Sequence, residues 1–388
     1  MSKRKILFPI TSRGNYGKLK NIIRSLQNDN NLECLVVVGG SVSLGKYGNL
    51  VGHIEANNIK VDEVVNFVVE GENLISMAKS GALAATEFAS VISRYDPDIV
   101  VIVADRFECL PIAMCGRYLN KCIVHLEGGE VSGSVDDSIR HAISKLANYH
   151  FVCSDQSHEN LLLQGESKEQ IFVTGSTSFS EFTNADLSGL DFVRGLQKNV
   201  GLGPAIKMFP KEYGVCIFHP VTTEYKENYE NCRELIKYIN KEEMEFAWLW
   251  PNMDAGSDGI SKAIRKSREE NKMKNTHFFT SLPIEQYAPL LKFSKIIIGN
   301  SSSGIREAGF LGVPSVSIGN RQKGREKDSN VFLCQPRASD IELACFKAKK
   351  LASTNPSRIY DMKDASEVAA NLLRTLPVVN DKFWKSPS

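Results

Sequence analysis

Ile99-Val100-Val101-Ile102-Val103-Ala104 is apolar throughout, and Asp105-Arg106-Phe107-Glu108 follows it directly. A helix-length segment over 108–119 leads to a second apolar run over 122–126. Runs without polar alternation suit strands buried on both faces of a parallel sheet, and a helix between two such runs supplies the crossover that parallel pairing needs. The same rhythm extends outward, with strand patterns at 5–10, 32–38, 64–68 and 149–153 and helical patterns at 16–27, 73–95 and 136–147. This alternation predicts a doubly wound α/β domain. A stretch over 183–211 holds Gly, Pro, Asn and Asp with poor periodicity and reads as a linker. The rhythm then restarts, with strands at 213–218, 245–250, 277–280, 295–298 and 315–318 and helices at 225–240, 257–270, 284–292 and 304–311. Two tail helices follow at 339–351 and 365–376, the second stopped by Pro377. The expected organisation is two α/β domains, 1–182 and 183–364, with ligand in the cleft between them at the carboxyl ends of parallel strands.

The 388 residues suit two cores rather than one. Lys and Arg number 47 against 45 Asp and Glu, a formal net charge of +2, so nothing in the bulk charge points to nucleic acid or a membrane surface as partner. Nine cysteines without Cys-x-x-Cys spacing fit a reducing compartment better than a disulfide framework or a zinc site. No apolar stretch approaches the ~18 residues of a membrane span, and a cytosolic protein is expected.

With ligand expected where strands end, the residues that follow strands are the candidates. After the first strand, Thr11-Ser12-Arg13-Gly14-Asn15-Tyr16-Gly17 opens a helix, and Arg13 is suited to a phosphate or a base edge. Asp105 follows a buried strand, a place suited equally to chemistry and to capping the next helix. The densest signal is His125-Leu126-Glu127-Gly128-Gly129-Glu130-Val131-Ser132-Gly133-Ser134-Val135-Asp136-Asp137-Ser138-Ile139-Arg140-His141. Capping and i,i+4 pairing explain Asp136, Asp137 and Arg140 at a helix start, but not acids flanking a glycine-rich loop behind a buried strand. In the second half, His219 follows a strand and could contact phosphate or act as an acid. Finally, Gly299-Asn300-Ser301-Ser302-Ser303-Gly304-Ile305-Arg306-Glu307 puts hydroxyls and glycine at a helix N-terminus. That arrangement suits diphosphate, with Glu307 one turn on and able to accept two ribose hydroxyls. Arg321-Gln322-Lys323-Gly324-Arg325 adds a local positive patch.

Taken together, these motifs resemble the UDP-N-acetylglucosamine 2-epimerase family, and nearly the whole chain takes part. The run from Glu127 to Gly133 is closer to its hydrolysing branch, which supplies ManNAc or related sugars for sialic-acid-like nonulosonates. The resemblance implies two Rossmann-like domains of glycosyltransferase-B type, a C-terminal helix within 365–388 returning to the first domain, and a homodimer or homotetramer. It implies catalysis by Asp105, Glu127 and Asp136, with Asp137 and Arg140 supporting. It implies that His219, Ser301, Ser302, Gly304 and Glu307 hold diphosphate and ribose, with Arg13, His277, Phe278 and Arg321 near the nucleotide. The family's first turn usually reads Arg-x-Asp-Tyr, and here Arg13-Gly14-Asn15-Tyr16 carries a neutral Asn15.

The C2–H of a sugar is not acidic until the diphosphate at C1 departs, so such a site must stabilise diphosphate and present a base to C2. The serine turn with His219 suits the first task, and the carboxylates suit the second. Neither a ligand-spaced His/Cys cluster nor a strand–GxGxxG–helix fingerprint is present, so neither metal nor NAD is implied. The expected substrate is UDP-GlcNAc, or else UDP- or GDP-linked 2,4-diacetamido-2,4,6-trideoxyglucose. The competing readings are a glycosyltransferase of the same fold, a non-hydrolysing epimerase and a non-catalytic nucleotide-sugar sensor.

Overall fold

The structure is a computed structural model that describes residues 3–45, 50–184, 201–202, 212–252, 254–280, 282–351 and 355–382. Two seven-stranded sheets organise the chain. The first holds β1 (Arg4–Ile10), β2 (Leu32–Val38), β3 (Glu63–Val64), β4 (Ile99–Val103), β5 (Cys122–Leu126), β6 (Tyr149–Val152) and β7 (Ile171–Val173), in the spatial order 3-2-1-4-5-6-7. Every pairing in it is parallel. Side chains of β1 show why its apolar run is continuous: Ile6, Phe8 and Ile10 enter one core and Leu7 enters the core on the opposite face.

The second sheet holds β8 (Gly201–Leu202), β9 (Tyr213–Ile217), β10 (Glu245–Leu249), β11 (Thr276–Phe279), β12 (Ile296–Gly299), β13 (Ser315–Ile318) and β14 (Val331–Cys334), in the order 14-13-12-9-10-11-8. Only β8 runs antiparallel, at the edge beside β11. Cys216 and Phe218 face one core, Val215 and Ile217 the other. Both domains are therefore doubly wound, as the alternation predicts.

Strand order reverses between β1 and β4 in the first sheet and between β9 and β12 in the second. At such switch points the flanking crossovers leave to opposite faces, and a crevice opens beyond the strand ends. Those ends carry Thr11–Arg13 and Asp105 in one domain, and His219 and Asn300–Ser302 in the other.

The tail helix Ala365–Thr375 returns to the first domain, where Ala369, Ala370 and Leu373 join its core. Arg4 Nη1 caps it by donating to the carbonyls of Leu373 and Arg374, at 2.8 and 2.7 Å. Phe182, in the short helix Phe179–Asn184, lies in a core of the second domain. The predicted linker over 183–211 falls largely outside the described residues.

Some elements depart from expectation. The strand expected at 64–68 pairs only over Glu63–Val64. Val65 and Phe67 instead drop into the core against Phe88 and Ile92, past the end of the ladder. The helix expected at 304–311 begins as a 3₁₀ turn over Ser302–Gly304 and becomes α-helical only at Arg306–Leu311. Among the described residues no helix is long and apolar enough to cross a membrane.

Candidate active site

Asp105 leaves β4 through Ala104, whose φ is +56°, and Glu127 leaves β5 with φ +63°. A left-handed conformation costs a residue with a Cβ roughly 1–2 kcal/mol, so the sheet ends impose both bends. The next helix, Cys109–Tyr118, receives no side-chain cap, and the Asp105 carboxylate pairs with Arg140 Nη2 instead. The capping alternative for Asp105 therefore falls. Burial pushes the Asp105 carboxyl up, but the charges of Arg140, Arg325 and Lys18 outweigh it and hold the group below its ordinary value.

Glu127 is buried and held at both oxygens. Arg306 Nη1 and Nη2 donate at 2.8 and 2.7 Å, and Lys18 Nζ contacts the same carboxylate. Burial again opposes ionisation, and Arg306 and Lys18 overcome it, so the carboxyl lies well below the usual range. Arg306 also donates to Ser176 Oγ at 2.7 Å and approaches Glu130 at 3.4 Å. Glu130 is paired in turn with Arg325. The described residues offer one set of clustered donors of the kind metals use, Glu127, Glu130 and Cys153. Its carboxylates already meet Lys18, Arg306 and Arg325.

Asp136 differs from its neighbours. It starts the helix Asp136–Leu146 without acting as its cap, and its nearest cation is Arg321, at 3.9 Å from Nη2. Burial and the charges of Asp105 and Asp254 raise its pKa against the opposing pull of Arg321. One acid that keeps its proton longer thus sits beside one held ionised, the pairing that divided acid–base roles require.

Asp137 is turned to its own loop. Its Oδ1 accepts from Ser132 N–H at 2.7 Å, Ser132 Oγ at 2.6 Å and Arg140 Nη1 at 2.6 Å, and its Oδ2 accepts from Gly133 N–H at 2.7 Å. With both oxygens occupied, it clamps the glycine-rich loop rather than facing the cleft. That loop meets the second domain directly, through Gly324 N–H on the Ser132 carbonyl at 2.9 Å.

Across the cleft, Asn300 ties the two strand ends together. His219 N–H donates to Asn300 Oδ1 at 2.7 Å, and Asn300 Nδ2 returns a bond to the His219 carbonyl at 2.8 Å. Burial, with Arg321 and Arg106 nearby, drives the His219 pKa well down, so its ring is neutral. Its Nδ1 accepts from Asn252 N–H at 3.4 Å, which leaves the proton on Nε2 as a donor. Gly299 takes φ +142°, and a Cβ there would meet the Ile217 carbonyl at 1.8 Å, so glycine alone fits this junction. Ser301 Oγ accepts from Ser303 N–H at 3.3 Å, the N-capping role. Ser303 is bonded to Tyr287 Oη, while Ser301 and Ser302 remain half-buried. Glu307 Oε2 is buried and meets no hydrogen-bond partner among the described residues, whereas a buried carboxylate oxygen ordinarily has one.

Arg13 opens the first helix, Arg13–Leu26, and Glu285 of the second domain opposes the lowering of its pKa by burial. Asn15 makes a neutral pair with Ser12 at 2.5 Å. His277 and Phe278 are corrected. They lie within β11 rather than beyond its end: His277 Nε2 meets Glu245 at 2.5 Å, and Phe278 is buried against Trp248 and Trp250. Neither is brought to the cleft. Lys18, Glu130, Arg306 and Arg325 went unassigned in sequence, and each meets its partner across distant chain positions. Arg306 of the second domain reaches Glu127 over 179 residues.

Two parallel-sheet α/β domains, with buried acids at the strand ends of one and a serine turn at the strand ends of the other, define a glycosyltransferase-B-like fold. The chain matches the UDP-N-acetylglucosamine 2-epimerase family over residues 24–374, and it belongs to that family. It is 31% identical to a UDP-N-acetylglucosamine 2-epimerase of Neisseria meningitidis over 330 residues, 85% of this chain and 83% of the relative. It is 29% identical to a UDP-N,N'-diacetylbacillosamine 2-epimerase (hydrolyzing) of Legionella pneumophila over 375 residues, 97% of each chain. Its fold matches the Methanocaldococcus jannaschii UDP-GlcNAc 2-epimerase solved with UDP-GlcNAc and UDP, with TM-score 0.79, 16% identity, and 95% and 99% of the two chains covered.

Proposed function

We propose that this family member is a hydrolysing nucleotide-sugar 2-epimerase that converts UDP-GlcNAc and water to ManNAc and UDP. The observation that carries the reading is Asp136, with its pKa raised in part by the charge of an Asp105 held ionised, and linked toward the serine turn by Arg321, which lies 3.9 Å from Asp136 and donates to the Asn300 carbonyl at 3.2 Å. In the first step Asp105 takes the C2 proton while the C1–O bond breaks and its electrons leave with UDP. The product is a 2-acetamidoglycal. Water then adds to C1 as Asp136 delivers a proton to C2 from the opposite face; the proton the water releases restores Asp136, and the proton held by Asp105 passes to bulk water with the products. The sum is one water consumed and one free 2-epimeric sugar released.

Ser301, Ser302 and the Nε2–H of His219 would receive the departing diphosphate, with Arg321 adding positive charge. Glu307 would accept the ribose hydroxyls through its unpartnered oxygen. Glu127 would keep Lys18 and Arg306 in place. General acid–base steps contribute about 10²–10⁴-fold each. Asp105→Asn should therefore abolish turnover and leave UDP binding nearly intact, and a variant retaining more than about a tenth of the activity contradicts the assignment.

A second reading, the same reaction on a UDP- or GDP-linked 2,4-diacetamido-2,4,6-trideoxyglucose, is favoured by the relative named for that sugar, which aligns over 97% of both chains. Either product would feed nonulosonate synthesis. Chromatography after incubation with each substrate tests both: free sugar plus nucleoside diphosphate supports hydrolysis, and a nucleotide-linked product contradicts it.

A further inference from the structure

His125 occupies the fourth position of β5 and is wholly buried. Both ring nitrogens have partners: Nε2 lies 2.9 Å from the Ala104 carbonyl, and Nδ1 lies 3.0 Å from Ser144 Oγ. A carbonyl can only accept, so Nε2 carries hydrogen. Burial lowers the ring's pKa to about 3, so it is neutral and Nδ1 accepts from the serine hydroxyl. One tautomer satisfies both contacts.

Ala104 immediately precedes Asp105 and holds φ at +56°. Its N–H is tied to the Leu126 carbonyl at 2.9 Å, and its own carbonyl is tied to His125, so both flanking peptide groups are fixed. The same ring lies beneath the other acid's loop. A Cβ on Gly128, the residue after Glu127, would fall 2.9 Å from His125 Nδ1 and 3.0 Å from Ser144 Oγ.

We propose that His125 is a positioning residue for the epimerase site: its Nε2–H, on the Ala104 carbonyl, and its ring, under Gly128, set the backbone from which Asp105 and Glu127 project. The idea rests on Asp105 acting in the reaction. Ser144 holds the ring in its working orientation.

The test exploits the two amides. Glutamine can place an N–H where Nε2 stands, whereas asparagine ends near Nδ1 and falls short of Ala104. A misplacement of about 1 Å in a catalytic group costs on the order of 10²-fold. His125→Gln should keep kcat within about fivefold of wild type, while His125→Asn and His125→Leu lose roughly 10²-fold in kcat. KM and the UDP dissociation constant should change by less than about threefold in all of them, because the diphosphate turn is untouched. Ser144→Ala leaves the strand intact and should lower kcat about tenfold, which decides the proposal even where the His125 variants fold poorly; unchanged kcat there would overturn it.

Equal kcat for His125→Gln and His125→Asn would overturn the proposal, and so would loss of UDP affinity in step with kcat. Crystal structures of those two variants give a readout independent of turnover. The Ala104 bend should persist in His125→Gln and relax in His125→Asn, and an unchanged bend in both would overturn the proposal. A wild type that binds UDP but turns over no nucleotide sugar would defeat the functional reading instead, with the backbone comparison still deciding His125.

Discussion

Replacing Arg306 with methionine removes a side chain that joins Glu127 of the first domain to the helix behind the serine turn of the second. Arg306 is 4% exposed and Glu127 5%, and their pair is bidentate at 2.8 and 2.7 Å. Breaking a buried ion pair by deleting one partner costs about 3–5 kcal/mol, because the other charge is left desolvated. Lys18 stays on Glu127 and compensates in part, so the expected loss lies near the lower end, ~3 kcal/mol. For domains of this size each kcal/mol moves Tm by about 2–4 °C, which predicts a fall of roughly 6–12 °C in differential scanning calorimetry. Glu127→Gln combined with Arg306→Met should be less unstable than the two single losses added together, since the two buried charges leave as a pair. A fall below about 2 °C, or strict additivity in the double variant, would refute the claim that this pair secures the domain seam.

Glu307→Gln should weaken UDP binding by about 10–100-fold, the value of a hydrogen bond to a charged group. Calorimetry with UDP lacking ribose hydroxyls should show no difference between variant and wild type, and a persisting gap would place Glu307 elsewhere. Glu166 is 1% exposed, and although burial raises its carboxyl, His150 and Lys382 draw it down to about 2 from 4.5. A depressed carboxylate stabilises above its unfolded value and loses that contribution as pH falls through the folded one. The stability gap to Glu166→Gln should thus be on the order of 3 kcal/mol at pH 7 and close between about pH 4.5 and 2. A gap independent of pH in denaturant titrations would contradict this. The raised pKa of Asp136 owes part to Asp105. Carbon-13 titration of Asp136 should therefore give a lower value in Asp105→Asn, and no movement would show that the two acids are not coupled.

Burial explains what the sequence disclosed. The runs 32–38, 122–126 and 315–318 coincide with β2, β5 and β13, which are paired on both edges, largely buried, and followed by Gly39, Glu127 and Gly319. Ile171–Val173 and Val331–Cys334 escaped notice, being short and only partly buried outer strands. The helix Asp155–Leu163 was missed because its amphipathic contrast is weak. The acids were legible for a geometric reason: residues after buried strands project into the crevice. Their cations were not, because Lys18, Arg306 and Arg325 sit in helices and loops where a lone basic residue resembles a solvated one. Asp137 follows the same local logic as Asp136, at a helix start behind a glycine-rich loop. Only the folded loop shows that its oxygens are spent on Ser132, Gly133 and Arg140.

Proton NMR of the reaction with UDP-GlcNAc in D₂O tests the central claim most directly. Elimination across C1–C2 followed by hydration requires free ManNAc bearing deuterium at C2, formed together with UDP. ManNAc that retains protium at C2, or UDP-ManNAc as the accumulating product, would contradict it.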